Sequence, residues 1–388
     1  MKKIKIMTIF GTRPEAIKMA PLVLELQKHP DKIEAILTVT AQHRDMLDQV
    51  LTLFDLKPDY DLNMMKKHQT LASLTVDGLT GLDRILKEVQ PDLVLVHGDT
   101  TTTFMASLAA FYNQIKIGHV EAGLRTWNKN SPYPEEMNRQ LTGLLADLHF
   151  APTVWAAQNL ITEGKIPNQI YLTGNTAIDT LNFTISENYT HPVLKAINHQ
   201  RFILMTVHRR ENLGEPMRGI FDATKRLIES NENIHLIYPV HPNPKVYNLA
   251  HDMLSHHPRI HLIDPLNVID FHNIAAKAHL ILTDSGGIQE ESPSWGVPVL
   301  VLRDTTERPE GVEAGTLKLI GTDADDIFNE ASQLLHDQDA YEQMAQATNP
   351  YGDGLASTRI VDAILYEFGF TDERPTHFAS STSSNLKP

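Results

Sequence analysis

The sequence contains no cysteine, so disulfides and thiolate metal sites are excluded, and the chain suits a reducing compartment. No apolar run approaches the roughly 18 residues needed to cross a bilayer. The opening stretch "MKKIKIMTIFGTRPE" reaches Gly11 after a short apolar run and reads as a first strand, not a signal peptide. We therefore expect a cytoplasmic protein with no membrane partner. HEXXH, a Walker A loop and GxGxxG are all absent, so zinc, ATP and NAD lack their usual signatures. The chain has 19 histidines, but the densest group, His256, His257 and His261 in "SHHPRIHL", has no carboxylate pattern beside it, and we expect no metal. A basic stripe is also missing. With a formal charge of -14 the chain would repel a phosphate backbone, so nucleic acid is not an expected partner.

What is present is a large apolar fraction, 41% of 388 residues, enough for two domains. No repeat of solenoid period is detectable. β-branched runs alternate with helical patterns: "KIKIMTIF", "DLVLVHGD" and "IKIGHVE" in the first half, then "FILMTVHRREN", "IHLIYPVHPNP", "RIHLIDP", "HLILTDSGG" and "VPVLVLRD". Continuous apolar strands between helices predict parallel sheets covered on both faces. The fold class is thus α/β, with two doubly wound, Rossmann-like domains and a cleft between them. We place the boundary in "YLTGNTAIDTLNF", dividing 1–172 from 173–354. A helix over about 355–370 is expected to pack back on the first domain, and the Ser, Thr and Pro-rich end, 371–388, to be disordered.

Ligands of open parallel sheets bind beyond the carboxyl ends of the strands, and there nearly every strand carries charge, histidine or glycine. "FGTRPEAIK" places a glycine turn before a helix start, with Arg13 and Lys18 in reach of an anion held there. A plain surface helix start, with Lys18 solvated and Arg13 paired to Glu15, would read the same way. "TDSGGIQEE" repeats the device with Ser285, Gly286 and Gly287 ahead of a helix from about Ile288, and Glu291 one turn inside; an ordinary strand-to-helix turn is the alternative. In "HVEAGLRTWNKNSPYPEEMNRQ" the acids Glu121, Glu135 and Glu136 stand beside Arg125 and Arg139. Met137, Leu141, Leu144 and Leu148 follow at helical spacing and are expected in the core. With Asp99 at the neighbouring strand end, three acids, Asp99, Glu121 and Glu135, are expected to converge.

The stretches "FGTRPEAIKMAPL", "VHGDTTTT", "HVEAGLRT", "PYPEEMNRQLTG", "HRRENLGEP", "LTDSGGIQEE" and "RDTTERPEG" together resemble the non-hydrolysing UDP-N-acetylglucosamine 2-epimerases, in order and over nearly the whole chain. The resemblance implies a glycosyltransferase-B-like architecture, a homodimer, and reversible conversion of UDP-N-acetylglucosamine to UDP-N-acetylmannosamine by loss and re-addition of UDP, with no cofactor. Such a product would serve cell wall polysaccharide biosynthesis or another glycan. By the same resemblance Asp99, Glu121, Glu135 and His208 are catalytic. Arg13, Lys18, Arg139, Ser285, Gly286, Gly287 and Arg308 hold the substrate and its UDP, Glu291 the ribose, and Phe271 lies beside the uracil. A second, activating UDP-N-acetylglucosamine site is implied at Gln42, His43, Gln69, Glu136, Arg210 and His241. Three readings compete: a hydrolysing epimerase releasing N-acetylmannosamine and UDP, a UDP-sugar glycosyltransferase, and a noncatalytic sensor. Against the second, Glu291 has Val299 where many retaining glycosyltransferases carry a second acid.

Overall fold

The computed structural model describes residues 2–378 except His43, Lys67, His68 and Glu307. Its elements, in chain order, are β1 (Ile4–Phe10), α1 (Arg13–Gln27), β2 (Ile33–Val39), α2 (Arg44–Leu53), β3 (Tyr60–Asp61), α3 (Leu71–Val89), β4 (Leu93–His97) and α4 (Thr101–Tyr112). There follow β5 (Lys116–Val120), α5 (Glu135–Leu145), β6 (Leu148–Ala151), α6 (Val154–Thr162), β7 (Ile170–Leu172), α7 (Thr176–Thr184) and α8 (Pro192–Ala196). The second series is β8 (Arg201–Thr206), α9 (Glu215–Glu229), β9 (Ile234–Pro239), α10 (Pro244–Leu254), β10 (Ile260–Ile263), α11 (Val268–Ala275), β11 (Leu280–Thr283) and α12 (Gly286–Glu291). It ends with β12 (Val299–Val301), α13 (Pro309–Glu313), β13 (Leu317–Leu319), α14 (Ala324–His336) and α15 (Gln338–Ala345), before a last helix, α16 (Ala356–Glu367).

The chain divides into two compact units, one running to Phe183 and resuming at Gly352, the other Thr184–Tyr351. Unit 1 carries a sheet in the order β3-β2-β1-β4-β5-β6-β7, and unit 2 one in the order β10-β9-β8-β11-β12-β13. Every strand pair among the described residues is parallel. The order reverses between β1 and β4 in unit 1 and between β8 and β11 in unit 2, and each reversal opens a crevice at the strand carboxyl ends.

Burial follows the alternation of apolar strands and amphipathic helices. In unit 1, β1 and β2 pack through Ile4, Ile6, Phe10, Leu37 and Val39 against Met19, Leu22, Val23 and Leu26 of α1 and Ile360, Val361 and Ile364 of α16. In unit 2, Ile203, Met205, Leu236 and Tyr238 meet Ile220, Phe221 and Leu227 of α9 and Ile327 of α14. Each such side chain contributes about 1.5–3 kcal/mol relative to exposure, which is why these runs read so clearly.

Helix α7, which the sequence places beyond the domain boundary, lies in unit 1. Thr180 Oγ1 donates to Ile17 O of α1 at 2.7 Å, Phe183 meets Phe54 edge-on, and Asp179 accepts from Ala356 N and Ser357 N at 3.0 and 2.6 Å. That last contact satisfies the free amides that open α16. The end of the chain is also corrected in part: residues 371–378 are not a loose tail, because Arg374 donates to Asn168 O and Ile170 O and the buried Phe378 donates its N–H to Leu172 O at 2.8 Å. Residues 379–388 lie outside the described part.

Asp179 is buried, and desolvation pushes its carboxyl above its ordinary value against the pull of its donors. Removing it leaves two buried amides unpaired. Asp179→Ala is expected to destabilise unit 1 by about 1–3 kcal/mol, seen as a lower melting temperature in calorimetry. Asp179→Asn, neutral and still an acceptor, should lose less.

Candidate functional site

In unit 1 the turn after β1 is fixed by Gly11 and Glu15. A Cβ on Gly11 would stand 2.0 Å from Thr40 Oγ1 and 2.6 Å from Thr102 Oγ1, so only glycine permits this approach. The buried Glu15 carboxylate accepts from Gly11 N at 3.1 Å, Thr12 N at 2.8 Å and Thr12 Oγ1 at 2.8 Å, and from Thr100 Oγ1 at 2.8 Å on the β4–α4 turn. Both turns at the sheet reversal are thereby tied to one side chain. Glu15 faces inward and does not pair with Arg13, which is left exposed at the start of α1. The helix begins at Arg13, with Thr12 as its cap and Pro14 in the first turn.

Glu121 follows β5 with φ 59°, a left-handed backbone that a side chain adopts only at some cost and that often marks a working site. Its Oε2 pairs with Lys18 Nζ, accepts from Asn175 Nδ2 at 3.2 Å, and lies 3.6 Å from His97 Nε2. Burial alone would raise this carboxyl, but the Lys18 ammonium paired with it and His97 beside it outweigh that and hold Glu121 well below the usual carboxylate range. Behind it, buried His119 contacts Gly98 O through Nε2 at 2.7 Å. Burial pushes His119 down to about 3 and its cross-strand neighbour His149 down to about 4, so both are neutral struts.

A second chain of charges starts at Asp99, whose carboxylate takes Arg139 NH2 at 2.5 Å while Asn138 Nδ2 donates to Asp99 O at 3.0 Å. Arg139 NH1 also lies 3.4 Å from Glu136. The Glu136 side chain is fully buried and accepts from Thr126 N, Trp127 N and Gln140 Nε2 at 3.0, 3.1 and 2.8 Å. Glu136 therefore holds the loop ahead of α5, and Arg125 braces the same loop through a two-point pair with Glu163 at 2.6 and 2.8 Å. Glu135 is half-buried at the head of α5 and forms no ion pair among the described residues. The expected core stripe of α5 is overturned: Leu141 and Leu144 are 37% and 71% exposed, and Leu148 belongs to β6. The inward face is Glu136, Asn138, Thr142 and Gly143, because the helix turns its polar side to the loop amides and to Asp99.

In unit 2, Asp284, just past β11 and fully buried, plays the part of Glu15. It accepts from His208 N, Arg209 N and Asn212 Nδ2 at 3.0, 2.8 and 3.0 Å, and His208 Nδ1 lies 3.4 Å away. His208 stacks on the exposed His241 with centroids 5.4 Å apart, and burial lowers its pKa below the ordinary value although Asp284 opposes this. Thr206, His208, His241, Leu266, Phe271 and Ser285 line a cavity of about 190 Å³. Helix α12 begins at Gly286, ahead of the expected Ile288, so Gly286 and Gly287 are its first turn. A Cβ on Gly286 would fall 2.6 Å from the Arg308 guanidinium, which is held by Glu290 at 2.7 Å. Glu291 ends α12 with Oε2 3.4 Å from His272 Nε2.

The structure thus groups Lys18 with Glu121, Asp99 with Arg139 and Glu136, and His208 with His241, Phe271 and Ser285. Of the expected second site, Gln42 is half-buried with Oε1 unpartnered, Gln69 donates to Met64 O at 3.0 Å, Arg210 is exposed, and His43 lies outside the described residues. The sequence reading gave no site role to Glu15, His97, Asn175, Asp284 and Glu290. His97 and Asp284 carried a signal, as polar groups at strand ends. No group of three or more His, Asp or Glu among the described residues is arranged to hold a metal, and no described helix is long and apolar enough to cross a membrane.

Comparison with known proteins accords with this arrangement. The family model for UDP-N-acetylglucosamine 2-epimerase matches residues 24–365. A UDP-N-acetylglucosamine 2-epimerase of Bacillus subtilis is 62% identical, over 97% of this chain and 99% of its own. Two solved structures align closely: S. aureus MnaA with UDP, 55% identical, TM-score 0.89, over 97% of this chain and 100% of that one; and the Neisseria meningitidis UDP-GlcNAc 2-epimerase bound to UDP-GlcNAc, 49% identical, TM-score 0.84, over 93% and 100%. The glycotransferase of kitacinnamycin shares the fold at 10% identity, with TM-score 0.64 over 94% of this chain and 99% of that one, as a glycosyltransferase-B-like pair of parallel-sheet domains should. Having the motifs, the two sheets and this similarity along nearly its full length, the chain belongs to the UDP-N-acetylglucosamine 2-epimerase family.

Proposed function

We propose that this chain is a non-hydrolysing epimerase that interconverts UDP-N-acetylglucosamine and UDP-N-acetylmannosamine, passing through 2-acetamidoglucal and UDP. The observation that carries the reading is the buried, ionised Glu121 paired with Lys18, within a family whose relatives are named UDP-N-acetylglucosamine 2-epimerases. The hydrogen at C2 has no adjacent ketone, so direct removal would leave an unstabilised carbanion. Breaking the C1–O bond first resolves this: electrons leave with UDP, positive charge builds at C1, and the C2 proton becomes acidic enough for a carboxylate. Loss of that proton gives the glycal. Re-addition of UDP with a proton delivered to the other face of C2 gives the epimer, so two acid/base groups are needed.

The residues suit these demands. Arg13, Lys18 and Arg308 supply positive charge to the leaving diphosphate, and His208, aligned by Asp284, adds a donor beside it. Ser285 with the bare backbone of Gly286 and Gly287 offers close approach to phosphate oxygens, and the cavity edged by Phe271 and Leu266 offers an apolar slot for the uracil. Glu291 faces the ribose. Asp99, Glu121 and Glu135 serve the sugar ring, with Arg139 orienting Asp99. No metal and no redox cofactor has a step to perform in this scheme. In the second, activating site the exposed Arg210 and His241 remain contacts, together with Gln42, His43 and Gln69, whereas Glu136 acts by holding the backbone of residues 126–127. The reaction suits the cytoplasm, where nucleotide sugars are made.

We also propose a homodimer joined through the outer face of α4 and α5. Phe111, Tyr112 and Leu144 are 55%, 62% and 71% exposed there, an apolar group of the kind that interfaces cover.

Three outcomes test this reading. Incubated with UDP-N-acetylglucosamine in deuterated water, the protein should place deuterium at C2 of both epimers; free N-acetylmannosamine would mean hydrolysis, and transfer only with an acceptor would mean a glycosyltransferase. Glu121→Gln should lower kcat by about 10²-fold or more while UDP affinity, by calorimetry, stays near normal. Leu144→Glu should convert a dimer to a monomer in light scattering; an unchanged mass would place the contact elsewhere.

A further inference from the structure

The two oxygens of Glu121 have different surroundings. Oε2 meets Lys18 Nζ from α1, Asn175 Nδ2 at 3.2 Å from the loop before α7, and His97 Nε2 at 3.6 Å from the end of β4. Oε1 accepts no hydrogen bond among the described residues and lies beside Gly98, 3.6 Å from where a Cβ would stand. Gly98 itself has φ 65°, a left-handed backbone that favours glycine.

Both of the other partners, Asn175 and His97, are set in place by their surroundings. Asn175 is buried, and its Oδ1 accepts Ala177 N at 2.9 Å. That bond sets the amide so that the Nδ2 donor points to the carboxylate. His97 is 4% exposed, and its buried Nε2 has no hydrogen-bond partner. Facing a carboxylate, that nitrogen is attractive only as an N–H. Thr103 Oγ1 fixes the strand end below it by donating to His97 O at 2.5 Å.

Lys18 has two claims on it, the Glu121 carboxylate and the diphosphate. When the ammonium turns to phosphate, a buried carboxylate left without its cation tends to take up a proton and stop serving as a base. The Asn175 amide remains hydrogen-bonded to the same oxygen, with His97 Nε2 3.6 Å from it.

We infer that His97 and Asn175 are positioning residues that hold Oε2 of Glu121 in place while Lys18 engages the diphosphate, leaving Oε1 as the atom that exchanges a proton with C2 of the sugar. The inference rests on the reaction proposed above. In the elimination direction the C2–H pair of electrons forms the C1–C2 double bond, the proton moves to Oε1, and the C1–O pair leaves on UDP. His97 and Asn175 gain and lose nothing; they orient the carboxylate and favour its anion.

The test uses His97→Leu and Asn175→Ala in the full chain. Each should lower kcat about tenfold or more with KM within about twofold, and each should move the acid limb of the kcat profile up by about one pH unit, since removing a donor from a carboxylate raises its pKa. His97→Gln, which keeps an N–H, should restore part of both. A purely structural role would lower the melting temperature or raise KM and leave the limb in place, and that result would overturn the inference. A second measurement needs no turnover: the Glu121 signal in ¹³C-carboxyl NMR of glutamate-labelled protein with UDP, assigned by its loss in Glu121→Gln. It should titrate at higher pH in both variants than in the parent, and coincident titrations would also overturn the proposal. If the parent incorporates no deuterium at C2, the reaction reading fails by itself, and the NMR titration still decides whether these two residues govern Glu121. Should His97→Leu not fold, Asn175→Ala carries both measurements.

Discussion

The site loops of both units depend on buried carboxylates whose oxygens are taken up by backbone N–H groups. Glu15 gathers Gly11 N and Thr12 N together with the hydroxyl of Thr100. Asp284 gathers His208 N and Arg209 N, and Glu136 gathers Thr126 N and Trp127 N. A loop beyond a parallel strand has amides with no ladder partner, and leaving them buried and unpaired costs on the order of 1–3 kcal/mol each. One carboxylate satisfies several at once and accepts charge-assisted bonds in return. The loop then has one shape, and the side chains it carries, Arg13 after β1 and His208 after β8, are set where the sheet order reverses.

This arrangement separates two kinds of acid. Glu15, Asp284 and Glu136 are taken up by backbone amides, whereas Glu121, Asp99 and Glu135 accept no backbone N–H among the described residues. Among the latter the surroundings differ again. Glu121 is paired with an ammonium and held ionised, Asp99 is engaged by the Arg139 guanidinium, and Glu135 is half-buried without an ion pair. The reaction proposed above, which moves a proton off one face of a carbon and onto the other, would draw on that difference.

The crowd of opposed charges in "HVEAGLRTWNKNSPYPEEMNRQ" resolves into separate tasks. Arg125 goes to Glu163, Glu136 to the loop amides, Arg139 to Asp99 and Glu121 to Lys18. Sequence spacing revealed that these residues would be near one another but not which would pair. The same stretch misled on packing. Leu141 and Leu144 keep helical spacing yet face outward, because the opposite side of α5 carries Asn138 and Glu136, whose hydrogen bonds to Asp99 O and the loop outweigh an apolar stripe. Helix α7 was assigned to the wrong side of the boundary for a related reason: Asp179 is joined to α16, far away in sequence, and periodicity carries no trace of that bond.

By itself the sequence determined the parallel α/β class, the helix that closes the chain, the glycine turns and most of the cations and acids at strand ends, since these follow from local pattern: continuous apolar runs, glycine where backbones crowd, and charge where a strand leaves the core. Only the tertiary structure decided which carboxylates are spent on the backbone and which stay available, and that His97 and Asn175 stand on Glu121. Those outcomes depend on atoms brought together from β4, β5, α1 and the β7–α7 loop. A hydrogen bond between residues 54 positions apart is set by sheet order, and no window of sequence contains it.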